Sequence, residues 1–353
     1  MAEFPTLGKI DKKFFDEVIY PRLGAARPEV LVGPRHGADT AIVRLDQGQV
    51  LVATTDPVSV IPALGLEDSA WLSVHLLASD LVTSGLPPAY AILTFNLPPH
   101  MPARDFEIYW HAMHREFAKL GIAVIGGHTG RYMGCDYTII GAGTLIAVGP
   151  EDHYVSGQMA QPGDSLILTK GAAIATTGLL SRVFPETIRS RFGEAFLARA
   201  QAFFSRFSVV EDALTAVSVG VREAGVTAMH DATEGGVLGA LYEFSSAARC
   251  GLRVDLAKIP IAEETRQICE LFEIDPYSSL SEGTLLISAR PAKAHAVVAT
   301  LQAKGIAASI IGEITPPEEG CKLISDDGIR ELEPPREDPY WKAFWRAVDQ
   351  GWR

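Results

Sequence analysis

The sequence predicts an α+β fold of two sheet-and-helix domains, each an α/β sandwich. Both halves alternate short β-rich runs with amphipathic helical patterns. A cluster of Gly, Pro, Ser and Gln at residues 149–162 separates them. The chain has 353 residues, too many for one ordinary core and suited to two. The expected division is a first domain over 1–150, a second over 160–334, and an aromatic tail helix over 335–353.

In the first half, residues 50–55 (VLVATT) form a β-rich run that the Asp56-Pro57 pair is expected to stop. Residues 70–84 have helical periodicity, with Leu72, Leu76 and Leu77 inward, Asp80 one turn on, and Gly85 as the stop. Residues 89–97 read as a strand, 102–120 as an amphipathic helix, and 122–125 as a second strand. Residues 137–148 read as a long strand whose glycines suggest a bend or a close backbone approach. The second half opens with the strand 165–169 (SLILT). Long helices are expected over 188–207 and 209–224, and the glycine-rich turn 231–236 opens another. Strands at 283–289 and 308–314 flank a helix at 292–304. In the tail, Trp341, Phe344, Trp345 and Trp352 form a helical stripe that either docks on the body or meets a partner.

Composition narrows the function. The formal net charge is −12 and no basic patch stands out, so nucleic acid is not an expected partner. No apolar run approaches the roughly 18 residues a membrane helix needs, and the N-terminus (MAEFPTLGKIDKK) has no apolar signal region. The expectation is a cytoplasmic protein without membrane contact. Cys135, Cys250, Cys269 and Cys321 make no C-x-x-C pair, so neither a zinc site nor a disulfide framework is expected.

Aspartates recur beside glycines or at element ends: Asp39 after Gly37-Ala38, Asp56 after Thr54-Thr55, Asp80 in a helix, and Asp231 before Glu234-Gly235-Gly236. Magnesium takes carboxylate oxygens together with phosphate oxygens and seldom uses a full protein cage. Loop aspartates from distant parts of the chain are what a metal–nucleotide site requires, although each alone also reads as a cap. Gly126-Gly127-His128-Thr129-Gly130 reads as a turn after a strand, whose N–H groups can line a phosphate. The competing reading is a tight turn with a structural histidine. Lys170-Gly171 follows SLILT, where the lysine either meets phosphate as a point charge or is a solvated strand end. There is no G-x-x-x-x-G-K-[ST] and no G-x-S-x-G, which sets aside P-loop and α/β-hydrolase chemistry.

In order along the chain, TTDPV, SDLVTSGLPPAY, GIAVIGGHTG, QPGDSLILTKGAA, MHDATEGGVLGAL, IPIAEETRQICE, SEGTLLIS and IIGEI resemble the aminoimidazole ribonucleotide synthetase superfamily. That group includes selenophosphate synthetase, thiamine-monophosphate kinase and the hydrogenase-maturation protein HypE, and the second half here looks most like HypE. The resemblance implies a homodimer whose N-terminal sheets close a shared barrel. It also implies ATP in the N-terminal-domain cleft, magnesium held by aspartates, and transfer of the γ-phosphoryl group. Carried over by position, Asp39, Asp80 and Asp231 are metal-side residues. Thr55, Asp56, Gly126, Gly127, Thr129, Lys170 and Gly171 lie on the ATP side, and Lys9, His128 and Glu282 take catalytic positions.

Three departures shape the expectation. Ala38 stands where the family usually has the first of two adjacent aspartates. The chain ends Gln350-Gly351-Trp352-Arg353, without the cysteine that carries the substrate in HypE. The region around Lys9 reads LGKIDKK and lacks the Cys or Sec of selenophosphate synthetases. The expected function is therefore ATP-dependent phosphoryl transfer to, or dehydration of, a small or carrier-bound substrate. The alternatives are a nucleotide-binding scaffold in metallocofactor (hydrogenase-type) maturation, with a maturation partner protein, and a small-molecule kinase.

Overall fold

The computed structural model describes residues 10, 12–333 and 337–353. Lys9 lies outside them. After a helical turn, α1 (Lys12–Phe14), the first domain builds a six-stranded sheet. Its strands are β1 (Val30–Val32), β2 (Ala41–Arg44), β3 (Gln49–Ser59), β4 (Tyr90–Leu97), β5 (Ala123–Arg131) and β6 (Ile139–Pro150). They lie in the order β1-β2-β3-β6-β4-β5, with only β4 and β5 parallel. Helices α2 (Gly65–Val82) and α3 (Ala103–Lys119) cover one face. The strands alternate: Val50, Val52, Thr54 and Val58 of β3 point into the core, whereas Thr55 and Pro57 face outward. The opposite face carries exposed Tyr90, Ile92 and Val148.

β3 does not stop at Asp56-Pro57. It continues to Ser59 and pairs with β6 along its whole length. A proline is tolerated because β2 pairs β3 only from Val50 to Ala53, so Pro57 sits where that side is an open edge.

The second domain has a seven-stranded sheet in the order β13-β12-β9-β11-β7-β10-β8. These are β7 (Ser165–Thr169), β8 (Val226–Ala232), β9 (Gly251–Asp255), β10 (Thr284–Ala289), β11 (Ala308–Thr315), β12 (Cys321–Ser325) and β13 (Gly328–Glu331). Its helices are α4 (Ile174–Val183), α5 (Pro185–Phe192), α6 (Glu194–Gln201), α7 (Val210–Val217), α8 (Gly236–Ala248), α9 (Glu263–Phe272), α10 (Pro291–Ala303) and α11 (Pro339–Asp349). The helix expected over 188–207 is three pieces. Gly193, at φ +88, breaks it, and its end tightens into a 3-10 segment. The helix expected from residue 209 ends at Val217, ahead of Gly220 at φ +135.

The domains share a core. The apolar cluster under the first sheet continues without interruption into Val209, Ala213 and Ala216 around α7, Leu285 and Ile287 of β10, and Val297 of α10. The backbone N–H of Val209 donates to Ser79 Oγ on α2 at 3.1 Å. The tail helix docks on the body through Tyr340, Ala343 and Ala347, which join Phe184, Ile268 and Phe272 in a second cluster; of the expected aromatic stripe, Trp341, Phe344 and Trp352 pack partly against it and Trp345 is exposed.

Candidate functional site

Close packing aims two of the aspartates at each other. Asp56 pairs with Gly143 across β3 and β6. A Cβ on Gly143 would lie 2.6 Å from Leu77 Cδ1, so the absent side chain lets α2 settle directly on the sheet. Asp80, three residues beyond Leu77 on the helix, thereby hangs over Asp56. Thr54, two residues before Asp56 on the same face, donates its hydroxyl to Asp80 Oδ2 at 3.3 Å.

Asp39 arrives on the β1–β2 loop. Gly37 has φ +76, and a Cβ there would lie 2.1 Å from the Glu243 carbonyl oxygen. Only glycine lets this loop lie against α8. Asp231 comes from the end of β8, whose residues are all buried. Ligand-capable atoms of Asp39, His230 and Asp231 lie within 4.8 Å of one another.

The four carboxyls feel each other. Loss of water raises the Asp80 pKa well above the ordinary carboxylate range, and the charges of Asp231, Asp56 and Asp39 push it further in the same direction. His230 sits between carboxylates, with Nδ1 at 2.7 Å from Asp39 and Nε2 at 3.2 Å from Glu243. Burial opposes its charge, but Asp39 and Glu243 outweigh burial and push its pKa up to about 10. An imidazolium with both nitrogens engaged has no lone pair to give a metal. In that arrangement His230 orients Asp39, and Asp56, Asp80 and Asp231 offer further carboxylate oxygens nearby. Crowded, all-oxygen and multiply negative, that set suits a hard divalent cation.

The other expected residues lie elsewhere in this chain. Gly126, Gly127, His128 and Thr129 form no turn: β5 runs straight through them, paired with β4 from Tyr90 to Leu97. A Cβ on Gly127 would lie 2.0 Å from the Leu93 carbonyl oxygen, so that glycine is required by the neighbouring strand. Asp56, Gly143, Leu93 and Gly127 occupy one row across four strands. At about 4.8 Å per strand spacing, Asp56 and Gly127 are about 14 Å apart. His128 is exposed, and its Nε2 lies 2.6 Å from the Tyr132 hydroxyl. Thr55 faces away from the aspartates and donates to the Gly143 carbonyl at 3.0 Å.

Lys170 is neither a free point charge nor a solvated strand end. It is half-buried, its Nζ lies 2.9 Å from Asp212 Oδ2, and it donates to the Ser208 carbonyl at 2.7 Å. Burial lowers its pKa and Asp212 opposes that shift. It lines a groove of about 770 Å³ with Trp71, His75 and Arg206, apart from the aspartates. Gly171 abuts Pro260, whose carbonyl oxygen would lie 2.4 Å from an added Cβ. Glu282 lies in the turn before β10; burial raises the pKa of the Tyr340 hydroxyl of α11, and the charge of Glu282 adds to that rise.

Sequence reasoning gave no role to His230 or Glu243. His230 adjoins Asp231 in a strand that is otherwise uncharged, which was the available signal. Glu243 sits on a helix among apolar residues, and only the fold brings it to His230.

The comparisons with known proteins agree with this architecture. The family description "AIR synthase related protein, N-terminal domain" matches residues 37–147, and its C-terminal counterpart matches 161–322. The carbamoyl dehydratase HypE of Cupriavidus necator is 28% identical over 302 residues, covering 82% of this chain and 80% of that one. Among solved structures, a HypE–HypF complex superposes with a TM-score of 0.68 at 23% identity, covering 85% of this chain and 94% of that one. HypE in complex with ATP gives 0.65 at 22% identity, covering 93% of each. With both domain descriptions matched in order over most of its length, and the same two-domain fold as HypE, the chain belongs to the AIR synthase related family.

Proposed function

We propose that this protein binds ATP with magnesium and uses it for phosphoryl transfer to, or dehydration of, a small or carrier-bound substrate. One observation carries the reading: Asp39 and Asp231 come together beside His230, and Asp80, its pKa raised first by burial, also feels the charges of Asp231, Asp56 and Asp39. Held there, a magnesium ion would supply positive charge to the phosphates and the group in flight. The chain's own contribution is positional. α2 and β3 hold Asp80 and Asp56 face to face, and the His230 imidazolium fixes Asp39. Relatives named carbamoyl dehydratase and a HypE structure containing ATP support the reading.

The dimer expectation belongs to the same reading. Tyr90, Ile92 and Val148 leave an apolar sheet face open, and β5 has one free edge. A second copy on that face brings another β5, with its Gly126, Gly127, His128 and Thr129, toward the nucleotide. A maturation partner is supported by the HypE–HypF complex.

A nucleotide-binding scaffold is the second reading. It is favoured by Ala38, which offers no carboxyl, and by the ion pair that ties Asp39 to His230. Calorimetric titration with ATP, with and without magnesium, followed by ADP release in a substrate screen, tests both. Magnesium-dependent binding is expected, lost in Asp80→Asn and Asp231→Asn. Wild-type binding in both variants would overturn the nucleotide site, and binding without turnover on any substrate selects the scaffold.

A further inference from the structure

We propose that α11 is a strap that holds the turn after β8, and through it the Asp231 carboxylate, in its metal-facing position, with Asp338 as the positioning residue. The proposal rests on the nucleotide reading above.

The turn Thr233–Gly236 joins β8 to α8, and Asp231 lies two residues before it. Gly235 and Gly236 are both left-handed, at φ +86 and +64. Two consecutive glycines in that region have no side chain to hold them and many other conformations open to them. Their geometry is imposed from outside. One wall is the segment before β10: the Ser281 N–H donates to the Thr233 carbonyl at 3.2 Å, and a Cβ on Gly236 would lie 2.6 Å from the Ser279 nitrogen.

The other wall is α11. Asp338 is 2% exposed and accepts on both oxygens. Oδ2 takes the Gly235 N–H at 2.7 Å, and Oδ1 caps α11 by taking the Tyr340 N–H at 2.8 Å. One turn along, the Trp341 indole N–H donates to Glu234 Oε1 at 3.2 Å. Two consecutive residues of the turn are thus held by one helix whose far side is buried on Phe184 and Phe272. A carboxylate that bridges a helix cap and a glycine N–H transmits the position of α11 to the turn. The hydrogen bonds to backbone are charge-assisted, the strong class.

The bridging arrangement supplies a selective variant. Asparagine caps helices as well as aspartate does. Asparagine has one acceptor oxygen, so Asp338→Asn can accept from only one of the Tyr340 and Gly235 N–H groups; with the oxygen at the Tyr340 cap, its NH2 faces the Gly235 N–H. The helix stays docked and the latch opens.

The experiment measures thermal unfolding, amide hydrogen exchange over residues 231–240, and calorimetric affinity for ATP with and without magnesium. For Asp338→Asn we expect a melting midpoint near wild type, faster exchange at Gly235, and about tenfold weaker magnesium-dependent ATP affinity, the loss of one charge-assisted hydrogen bond. Magnesium-free ATP binding is expected to be unchanged, which a merely structural role does not predict. Should Asp338→Asn fail to fold, Trp341→Phe removes the indole N–H bond to Glu234 together with part of the ring that packs beside Tyr340, and faster exchange at Gly235 with weaker magnesium-dependent affinity is again expected. Unchanged exchange at Gly235, or faster exchange with wild-type magnesium-dependent affinity, overturns the strap. Wild-type protein that binds no magnesium–ATP overturns the nucleotide reading itself.

Discussion

Removing the imidazolium between Asp39 and Glu243 is the most demanding test of the site's electrostatics. In His230→Gln, two carboxylates lose their shared cation. Their side chains are 9% and 13% exposed, against 5% for His230. Breaking a buried pair by deleting one partner costs about 3–5 kcal/mol. Linkage gives a similar figure. His230 moves from 6.5 to about 10 on folding. At 1.36 kcal/mol per unit, that difference is about 5 kcal/mol. The folded-state value is the higher one. The contribution is therefore complete below pH 6.5 and is lost as pH rises through about 10. The assay is denaturant unfolding of wild type and variant from pH 6 to 10, in a chelator so that no metal shields the aspartates. The expected result is a variant less stable by about 3–5 kcal/mol at pH 6, with the difference shrinking steadily toward pH 10. A difference under about 1 kcal/mol, or one that does not depend on pH, would refute the imidazolium bridge.

Three further predictions concern neighbouring features. Asp80 holds its proton above the ordinary carboxylate range, so metal and proton compete there. Magnesium affinity of the wild-type protein, followed by titration at several pH values, is expected to rise with pH, and an affinity that does not change with pH would count against proton competition at Asp80. Gly37→Ala places a methyl group 2.1 Å from the Glu243 carbonyl in a left-handed backbone. Left-handed strain alone costs about 1–2 kcal/mol, so unfolding is expected at lower denaturant with weaker magnesium binding. Lys170→Met leaves Asp212 buried without its cation. It is expected to lose about 3–5 kcal/mol of stability while its calorimetric ATP affinity stays at the wild-type value.

The sequence was most legible where one residue type has one strong use. Asp39, Asp56, Asp80 and Asp231 stood out because short carboxylates beside glycines serve few purposes, and the structure gathers all four. Glycine was harder to read. It signals a turn, a bend or a close approach, and residues 126–130 were read as a turn when they are a strand pressed against β4. Pro57 misled for a related reason: whether a proline ends a strand depends on how far its neighbour extends, and β2 is short. Lys170 could not be placed because Asp212, which holds it, is 42 residues away. The Asp338–Gly235 latch joins residues 103 apart, a pairing that no local pattern announces.

The apolar cluster that runs from the first sheet through α2 into α7 and β10 bears on how the molecule comes apart. The segment 149–162 looks like a convenient place to divide the chain, yet cutting there would bare a hydrophobic surface on both products. The halves are expected to melt in one calorimetric transition. A protease nick in that segment should leave two fragments that migrate together until denaturant separates them. A single cooperative body also means that the aspartates from the two domains meet as folding completes, with no later hinge motion needed to assemble them.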